Sequence, residues 1–312
     1  MTDNTRTNLS SEFDWFRHNG IFMPMINDTG RNVFYKQAIE QAVPGKVVCD
    51  IGTGTGLLSI LAAKAGATKV YSVEMDPGRA EFARQIIRQC GLDHIIEVIN
   101  ADFFTTDIRA DVYISETIGS QIFNEYIIPI SKYALRHGGI FLPNSFDLRL
   151  VLYQDHPIFP AMMNNSSAFE FQPDIEIDPE FERVVNQQFQ EQHPPDHTLY
   201  TASTINNLFK MLPNFTDLKL TEIYRTPDLR IDLSQDIDEN NICLTIPNDK
   251  LTNNTVVVVL FWTANLYGDV KMDITDTWWG NACKSILPHT RTAGADLVMR
   301  YDPRITNWRL SY

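Results

Sequence analysis

Glu116 and Glu125 stand at the two ends of the stretch Ser115-Glu116-Thr117-Ile118-Gly119-Ser120-Gln121-Ile122-Phe123-Asn124-Glu125, which follows an apolar run. Two carboxylates in a partly desolvated place repel each other and need a cation between them, and a planar guanidinium matches such a pair with its forked donors. Helix capping and surface charge are the ordinary alternative for either acid taken alone. A second constellation lies upstream, where Val47-Val48-Cys49-Asp50-Ile51 runs into glycines at 52, 54 and 56. Lys69-Val70-Tyr71-Ser72-Val73 then ends in another acid, Glu74.

The glycine spacing separates two kinds of nucleotide ligand. A dinucleotide fingerprint carries its third glycine three positions after the second, whereas here Gly52, Gly54 and Gly56 alternate. Asp50 sits just ahead of them. A pyrophosphate on a helix N-terminus would not want that carboxylate so close, but a cationic sulfonium or ammonium would tolerate or favour it. The ligand indicated is S-adenosylmethionine rather than NAD, with Glu74 accepting hydrogen bonds from two ribose hydroxyls. A glycine-rich turn joining an ordinary strand and helix is the plain alternative.

These residues need a frame. From Val47 to Phe141 the pattern alternates strands (Val47–Asp50, Lys69–Glu74, Ile95–Asn100, Asp111–Ser115, Gly139–Leu142) with helices near 57–65, 78–90 and 122–136, which predicts a doubly wound parallel sheet. The carboxyl ends of such strands face the ligand crevice, so the Ser115 to Glu125 loop starts beside the cofactor. Ahead of the sheet lie an aromatic and Met-rich prelude, Phe13 to Ile26, and an amphipathic helix over Asn32–Val43. After Leu142-Pro143-Asn144-Ser145 the chain turns β-like: Phe146–Tyr153, Asp217–Tyr224, Leu229–Leu233, Asn241–Ile246, Val256–Leu266 and Asp296–Leu310. That predicts an antiparallel sandwich or barrel. Residues 156–212 interrupt it with prolines, an acidic stretch and helical potential around 181–192 and 203–212, as an interaction arm or an exposed insertion.

Composition narrows the function classes. With 312 residues, 44% of them hydrophobic, the chain can bury a large core and divide into two domains. Its longest apolar stretch is too short to span a bilayer and its start lacks an apolar signal region, so no membrane association and a cytoplasmic location are expected. Four dispersed cysteines without a CxxC read as buried free thiols, and no histidine or cysteine spacing predicts a metal site. A net charge of −13 argues against an extended phosphate-binding surface and fits either a cationic substrate or plain solubility.

At this point the chain resembles the protein arginine N-methyltransferase family of class I S-adenosylmethionine-dependent methyltransferases. The matching blocks are His18 to Ile39, Asp50 to Gly56, Ala62 to Ala67, Glu74, the S-E-x-x-G-x-x-x-x-x-E loop from Ser115 to Glu125, and Gly138 to Pro143. The resemblance implies cofactor-covering helices over 1–45, a Rossmann-like methyltransferase domain over 46–143, and a β-barrel domain over 144–312 with a helical dimerisation arm at about 156–212. A homodimer is implied as well.

Residue by residue, the resemblance places Arg31 on the cofactor carboxylate, Asp50 and Gly52 near its amino group, Glu74 on the ribose and Asp102 near the adenine. Glu116 and Glu125 would hold the substrate guanidinium as the catalytic pair, with Phe16 and Met25 beside the cofactor. In the family's Thr-His-Trp loop this chain reads Thr277-Trp278-Trp279, so Asp28 loses an imidazole partner. Trp279 would still wall the pocket, while Trp278 would narrow it, stack on the guanidinium or pack in the core. Phe16 replaces a tyrosine. The expected function is therefore N-methylation of an arginine guanidino group, with protein or peptide side chains favoured over free arginine or a guanidino-containing biosynthetic intermediate. A catalytically idle cofactor-binding partner protein is a further alternative. Nucleic-acid methylation is disfavoured by charge and by the lack of an Asn-Pro-Pro-Tyr or Asp-Pro-Pro-Tyr motif.

Overall fold

The computed structural model describes residues 28–119, 122–153, 221–251, 256–277, 287–289, 294–304 and 307–311. Helix α1 (Thr29–Ala42) opens it, capped by the Asp28 carboxylate, which accepts from the Arg31 N–H at 3.0 Å. Its buried residues, Arg31, Tyr35, Ala38, Ile39 and Ala42, recur at helical spacing and form one face. That apolar face begins with an arginine.

Five strands then form the parallel sheet: β1 (Val47–Ile51), β2 (Lys69–Glu74), β3 (Ile96–Asn100), β4 (Val112–Ser115) and β5 (Ile140–Leu142), in the order β3-β2-β1-β4-β5. Helices α2 (Leu57–Lys64), α3 (Pro77–Gln89) and α4 (Ile127–Leu135) make the crossovers. Val48, Cys49, Val112, Tyr113 and Ile114 are wholly buried, as continuous apolar runs are when helices cover a parallel sheet. The order reverses between β1 and β4, which makes their carboxyl ends the switch point of the sheet.

Most expected boundaries lie within two residues of the observed ones, but the helix expected over 122–136 begins only at Ile127. Ile122 and Tyr126 adopt positive φ (68° and 66°), and Gly119 bridges Ile122, so the preceding residues form a turn instead. The apolar side chains that suggested a helix are buried as loop anchors: Ile118, Ile122 and Phe123 are all 2% exposed or less. Non-glycine residues in the left-handed region are costly, and the burial of this loop holds them there.

Beyond Pro143 the chain is antiparallel. Strands β6 (Ser145–Tyr153), β7 (Glu222–Arg225), β8 (Leu229–Asp232), β10 (Val256–Tyr267), β11 (Val270–Asp273) and β12 (Leu287–His289) share one sheet. Strands β9 (Cys243–Ile246), β13 (Leu297–Asp302) and β14 (Asn307–Ser311) make a second. Among the described residues these are two separate sheets, so the expected barrel is not closed. The single strand expected over 296–310 is a hairpin, and β11 and β12 were not foreseen. The arm expected at 156–212 lies outside the described residues. Among them, no helix is long and apolar enough to cross a membrane and no cluster of metal-ligating side chains occurs.

One expectation about the cysteines is corrected. Cys49 is buried in β1, but Cys90 is exposed because it follows α3 as its C-cap, off the core-facing side, and Cys243 is half-buried. All three are free thiols, and Cys283 lies outside the described residues.

The two halves share a core through Phe123. Its ring meets Phe146 of β6 and Tyr301 of β13 edge to face, with centroids 5.7 and 5.4 Å away, and the Tyr301 hydroxyl donates to the Phe123 carbonyl at 3.3 Å. Burying an aromatic ring of this size and removing it to a methyl leaves a cavity, so Phe123→Ala should lose about 3–5 kcal/mol in denaturant unfolding. An unchanged midpoint would show that this ring does not pin the loop to the antiparallel half.

Candidate functional site

The site grows from the register of β1 on β4. Ile51 pairs with Ser115, so the next residue on each strand, Gly52 and Glu116, emerge side by side at the switch point. Gly52 turns there with φ +75°, and a Cβ on it would lie 3.0 Å from Thr117 Cγ2. Only glycine lets the two loops pass this closely. Gly54 and Gly56 follow with φ +55° and +84°, and Gly56 opens α2. A Cβ on Gly119 would fall 2.2 Å from Asn124 Oδ1, so a side chain there would displace the Asn124 amide.

Helix α1 is fixed across these strand ends by two contacts. The Tyr35 hydroxyl donates to the Ser115 carbonyl at 3.0 Å, and Arg31 Nη1 donates to Glu116 Oε2 at 2.9 Å. The Arg31 and Glu116 side chains are only 7% and 10% exposed, so this ion pair is largely desolvated. Asn32 Oδ1 braces the guanidinium, accepting from Nε and Nη2 at 3.2 and 3.1 Å.

Glu116 Oε1 is buried and has no hydrogen-bond partner among the described residues. Burial pushes the Glu116 carboxyl up to about 8 against the pull of Arg31, with Glu125, Asp28 and Asp50 adding repulsion. Leaving a buried acceptor unmade is expensive, so an atom of this kind in a crevice marks a place for a donor. Glu125 at the far end of the loop is exposed, yet enough protein surrounds it for desolvation to raise its carboxyl, with Arg79 opposing. Glu125 thus lies within electrostatic reach of Glu116.

Glu74 ends β2 and is 4% exposed. Its two oxygens accept from the Gly54 and Asp76 amides at 3.0 and 2.9 Å, so the acid is tied to the glycine turn itself. Each oxygen keeps a further lone pair for a hydroxyl donor. Asp50 is 1% exposed and lies inward: its Oδ2 accepts from the Thr53 and Ser59 hydroxyls, each at 2.6 Å. Asp102 caps the short turn after β3, accepting from the Phe104 N–H at 3.0 Å.

The structure therefore brings together Arg31, Asp50, Gly52, Gly54, Gly56, Glu74 and Glu116, with Asp28 capping the helix that carries Arg31. Phe16, Met25, Trp278 and Trp279 lie outside the described residues. Sequence reasoning missed the hydroxyls of Thr53, Ser59 and Ser72 around Asp50, and Asn32 behind Arg31. A serine inside the apolar helix Leu57-Leu58-Ser59-Ile60 and another inside strand β2 were the available signal.

Comparison with known proteins finds similar sequences and folds. Residues 35–142 match the family model described as ribosomal protein L11 methyltransferase (PrmA). Protein arginine N-methyltransferase 1.1 of Arabidopsis thaliana is 34% identical over 165 residues, covering 50% of this chain and 42% of that protein. Arginine N(omega)-methyltransferase of Streptomyces achromogenes subsp. streptozoticus is 38% identical over 132 residues, 39% of this chain and 37% of that one. The matches thus span less than half the length of these relatives. Over the whole fold, the Trypanosoma brucei PRMT1 enzyme–prozyme heterotetramer with AdoHcy aligns at TM-score 0.63 and 20% identity, covering 94% of this chain and 90% of that one. Arabidopsis thaliana protein arginine methyltransferase 10 aligns at TM-score 0.61 and 19% identity, covering 89% and 86%. The sequence resemblance to protein arginine N-methyltransferases holds, and the solved structures share the fold of a Rossmann-like parallel sheet followed by antiparallel sheets.

The buried Glu116 has a consequence for stability. Its folded value of about 8 lies above the ordinary carboxylate range, so between the two the native state holds a proton that the unfolded chain has lost. Stability should then fall as pH rises through that window, by up to about 1.4 kcal/mol per pH unit. Glu116→Gln, which cannot titrate, should lack this part of the decline in denaturant unfolding. Parallel pH curves for the two proteins would contradict the assignment.

Proposed function

We propose that this chain is an S-adenosylmethionine-dependent N-methyltransferase acting on the guanidino group of arginine, with protein or peptide side chains favoured. The observation that carries the reading is the unpartnered, buried Glu116 Oε1 at the switch point, on the same loop as Glu125 and beside the glycine turn. An acceptor left open among acids asks for a cation with N–H donors, and a guanidinium is such a cation.

The residues present fit a nucleoside-bearing donor. Gly52 and Gly54 give a turn that a ligand can approach closely, and Glu74 at its edge retains acceptor capacity for ribose hydroxyls. Asp50 offers negative charge for an ammonium, Asp102 lies after β3 for the adenine, and Arg31 supplies a cation for a carboxylate. Phe16 and Met25 would complete this side of the site. The donor, when bound, supplies an electrophilic methyl group.

This chain's own residues prepare the nucleophile. A free guanidinium is a poor one because its charge is delocalised and its pKa exceeds about 12. Hydrogen bonds from its N–H groups to Glu116 Oε1 and to Glu125 hold positive charge on the nitrogens they touch and leave the third nitrogen more electron-rich. Arrival of the cation favours ionised Glu116, so substrate binding should release a proton from that carboxyl. Arg31 stays on the other oxygen, Oε2, and fixes the carboxylate plane. The proton lost from the target nitrogen passes to Glu125 or to water. Trp279 would wall the guanidinium site and Trp278 narrow it, with Asp28 behind them.

The same reading divides the chain into a covering segment over 1–45, a methyltransferase domain over 46–143 and an antiparallel domain over 144–312 with an arm at about 156–212. It includes a homodimer and a cytoplasmic place, which free thiols at Cys49, Cys90 and Cys243 suit. The relative named arginine N(omega)-methyltransferase supports a second substrate reading, free arginine or a related guanidino compound.

Labelled donor offered with an arginine-rich peptide, free arginine or RNA distinguishes these. Label in the peptide is expected; label in free arginine alone selects the second reading, and label in none of them leaves a catalytically idle binding protein. Within the first reading, Glu125→Gln should bind S-adenosylhomocysteine normally by calorimetry while single-turnover methylation falls about 100-fold or more. Unchanged turnover in that variant would rule out its catalytic role.

A further inference from the structure

Asp50 is the most deeply buried acid of the site at 1% exposure, and among the described residues no cation pairs with it. Both hydroxyls that reach it donate to one oxygen: Thr53 Oγ1 and Ser59 Oγ lie 2.6 Å from Oδ2. Behind them Ser72 Oγ sits 2.6 Å from Thr53 Oγ1 and 2.9 Å from Ser59 Oγ, so it joins the two hydroxyls that serve the carboxylate into one hydrogen-bonded cluster. The Ser59 backbone N–H adds a further hydrogen bond to the carboxylate. Ser59 and Ser72 are wholly buried in otherwise apolar elements, where alanine would pack without a polar group to satisfy.

The surroundings explain why such a cluster is needed. Burial pushes the Asp50 carboxyl up, the hydroxyl hydrogen bonds pull it back, and Glu74 on the neighbouring strand adds repulsion. Tyr35 on α1, Cys49 on the same strand and Glu116 after β4 also lie within electrostatic reach, and every one is neutral or acidic. The guanidinium of Arg31 is engaged with Glu116 instead. A cationic partner from the protein would cancel the charge; hydroxyl dipoles stabilise it and leave it uncancelled.

We propose that Thr53, Ser59 and Ser72 are positioning residues that keep Asp50 an anion inside the fold, its charge left for a cation on the bound ligand. The inference rests on the methyl-donor reading above, in which the cation is the donor's ammonium group. The hydroxyls touch neither donor nor substrate; they act through Asp50. Their loss should change the pH dependence of donor binding more than its limiting strength, because a neutral Asp50 gives up its attraction for an ammonium.

The test is calorimetric titration of the full chain with S-adenosylhomocysteine, which bears the same ammonium, from about pH 5 to about pH 8, with thermal unfolding followed at each pH. Wild type should bind more tightly as pH rises. Ser59→Ala should move the midpoint of that rise upward by about one pH unit, a loss of about tenfold on the acid side that closes toward the alkaline end. Ser59→Thr should restore the wild-type profile and Ser72→Ala should give a smaller shift in the same direction. Glu116 is the same in every variant, so its own titration cancels in the comparison. A uniform loss at all pH values, or no change, overturns the proposal and marks the hydroxyls as packing only. Should Ser59→Ala not fold, Ser72→Ala carries the same criterion. Absence of binding by wild type at every pH overturns the donor reading itself, and this inference with it.

Discussion

A carboxyl group held out of water, with one oxygen on Arg31 and the other without a partner among the described residues, sets the terms for the rest of this molecule. Such a group is costly to keep and stays only where the surrounding structure fixes it. Asp28 caps α1, Tyr35 ties that helix to the Ser115 carbonyl, and Arg31 is thereby delivered to Glu116. The register of Ile51 on Ser115 brings the same carboxylate beside the glycine turn, and Phe123 locks its loop into the antiparallel half. The site is a product of how α1, β1, β4 and the second domain meet, with no single element sufficient for it.

The acids around the switch point are each satisfied differently, and the differences follow function. Glu74 is held by backbone amides and stays available to hydroxyls. Asp50 is held by side-chain hydroxyls. Glu116 is half-satisfied by a guanidinium, and at the exposed Glu125 desolvation raises the carboxyl against the pull of Arg79. Together they gather acidic groups at the carboxyl ends of β1, β2 and β4, a setting that on the proposed function suits an ammonium-bearing sulfonium and a guanidinium better than a polyphosphate.

Much of this was legible from residue types and spacing. The alternate glycines, the acids closing β1 and β2 and the paired glutamates lie on short, locally coded segments, and they stand where the strand pattern put them. What escaped depended on long-range contacts. The helix expected from Ile122 onward was a misreading of apolar residues that instead face the second domain, where Phe146 and Tyr301 receive Phe123. The hydroxyl cluster left only a weak signal, two serines in largely apolar segments, because the packing of α2 and β2 against β1 is what assembles Thr53, Ser59 and Ser72 around Asp50. The arginine–glutamate pair joins residues that only the docking of α1 brings together; resemblance had assigned Arg31 to the cofactor alone.

The most direct test is a crystal structure of the chain with S-adenosylhomocysteine and an arginine-containing peptide. The account predicts a guanidinium lying flat between the two glutamates, with one nitrogen about 3 Å from Glu116 Oε1, another at the same distance from Glu125, and the third directed at the sulfur. A peptide guanidinium bound elsewhere, with Glu116 Oε1 still without a donor, would contradict it.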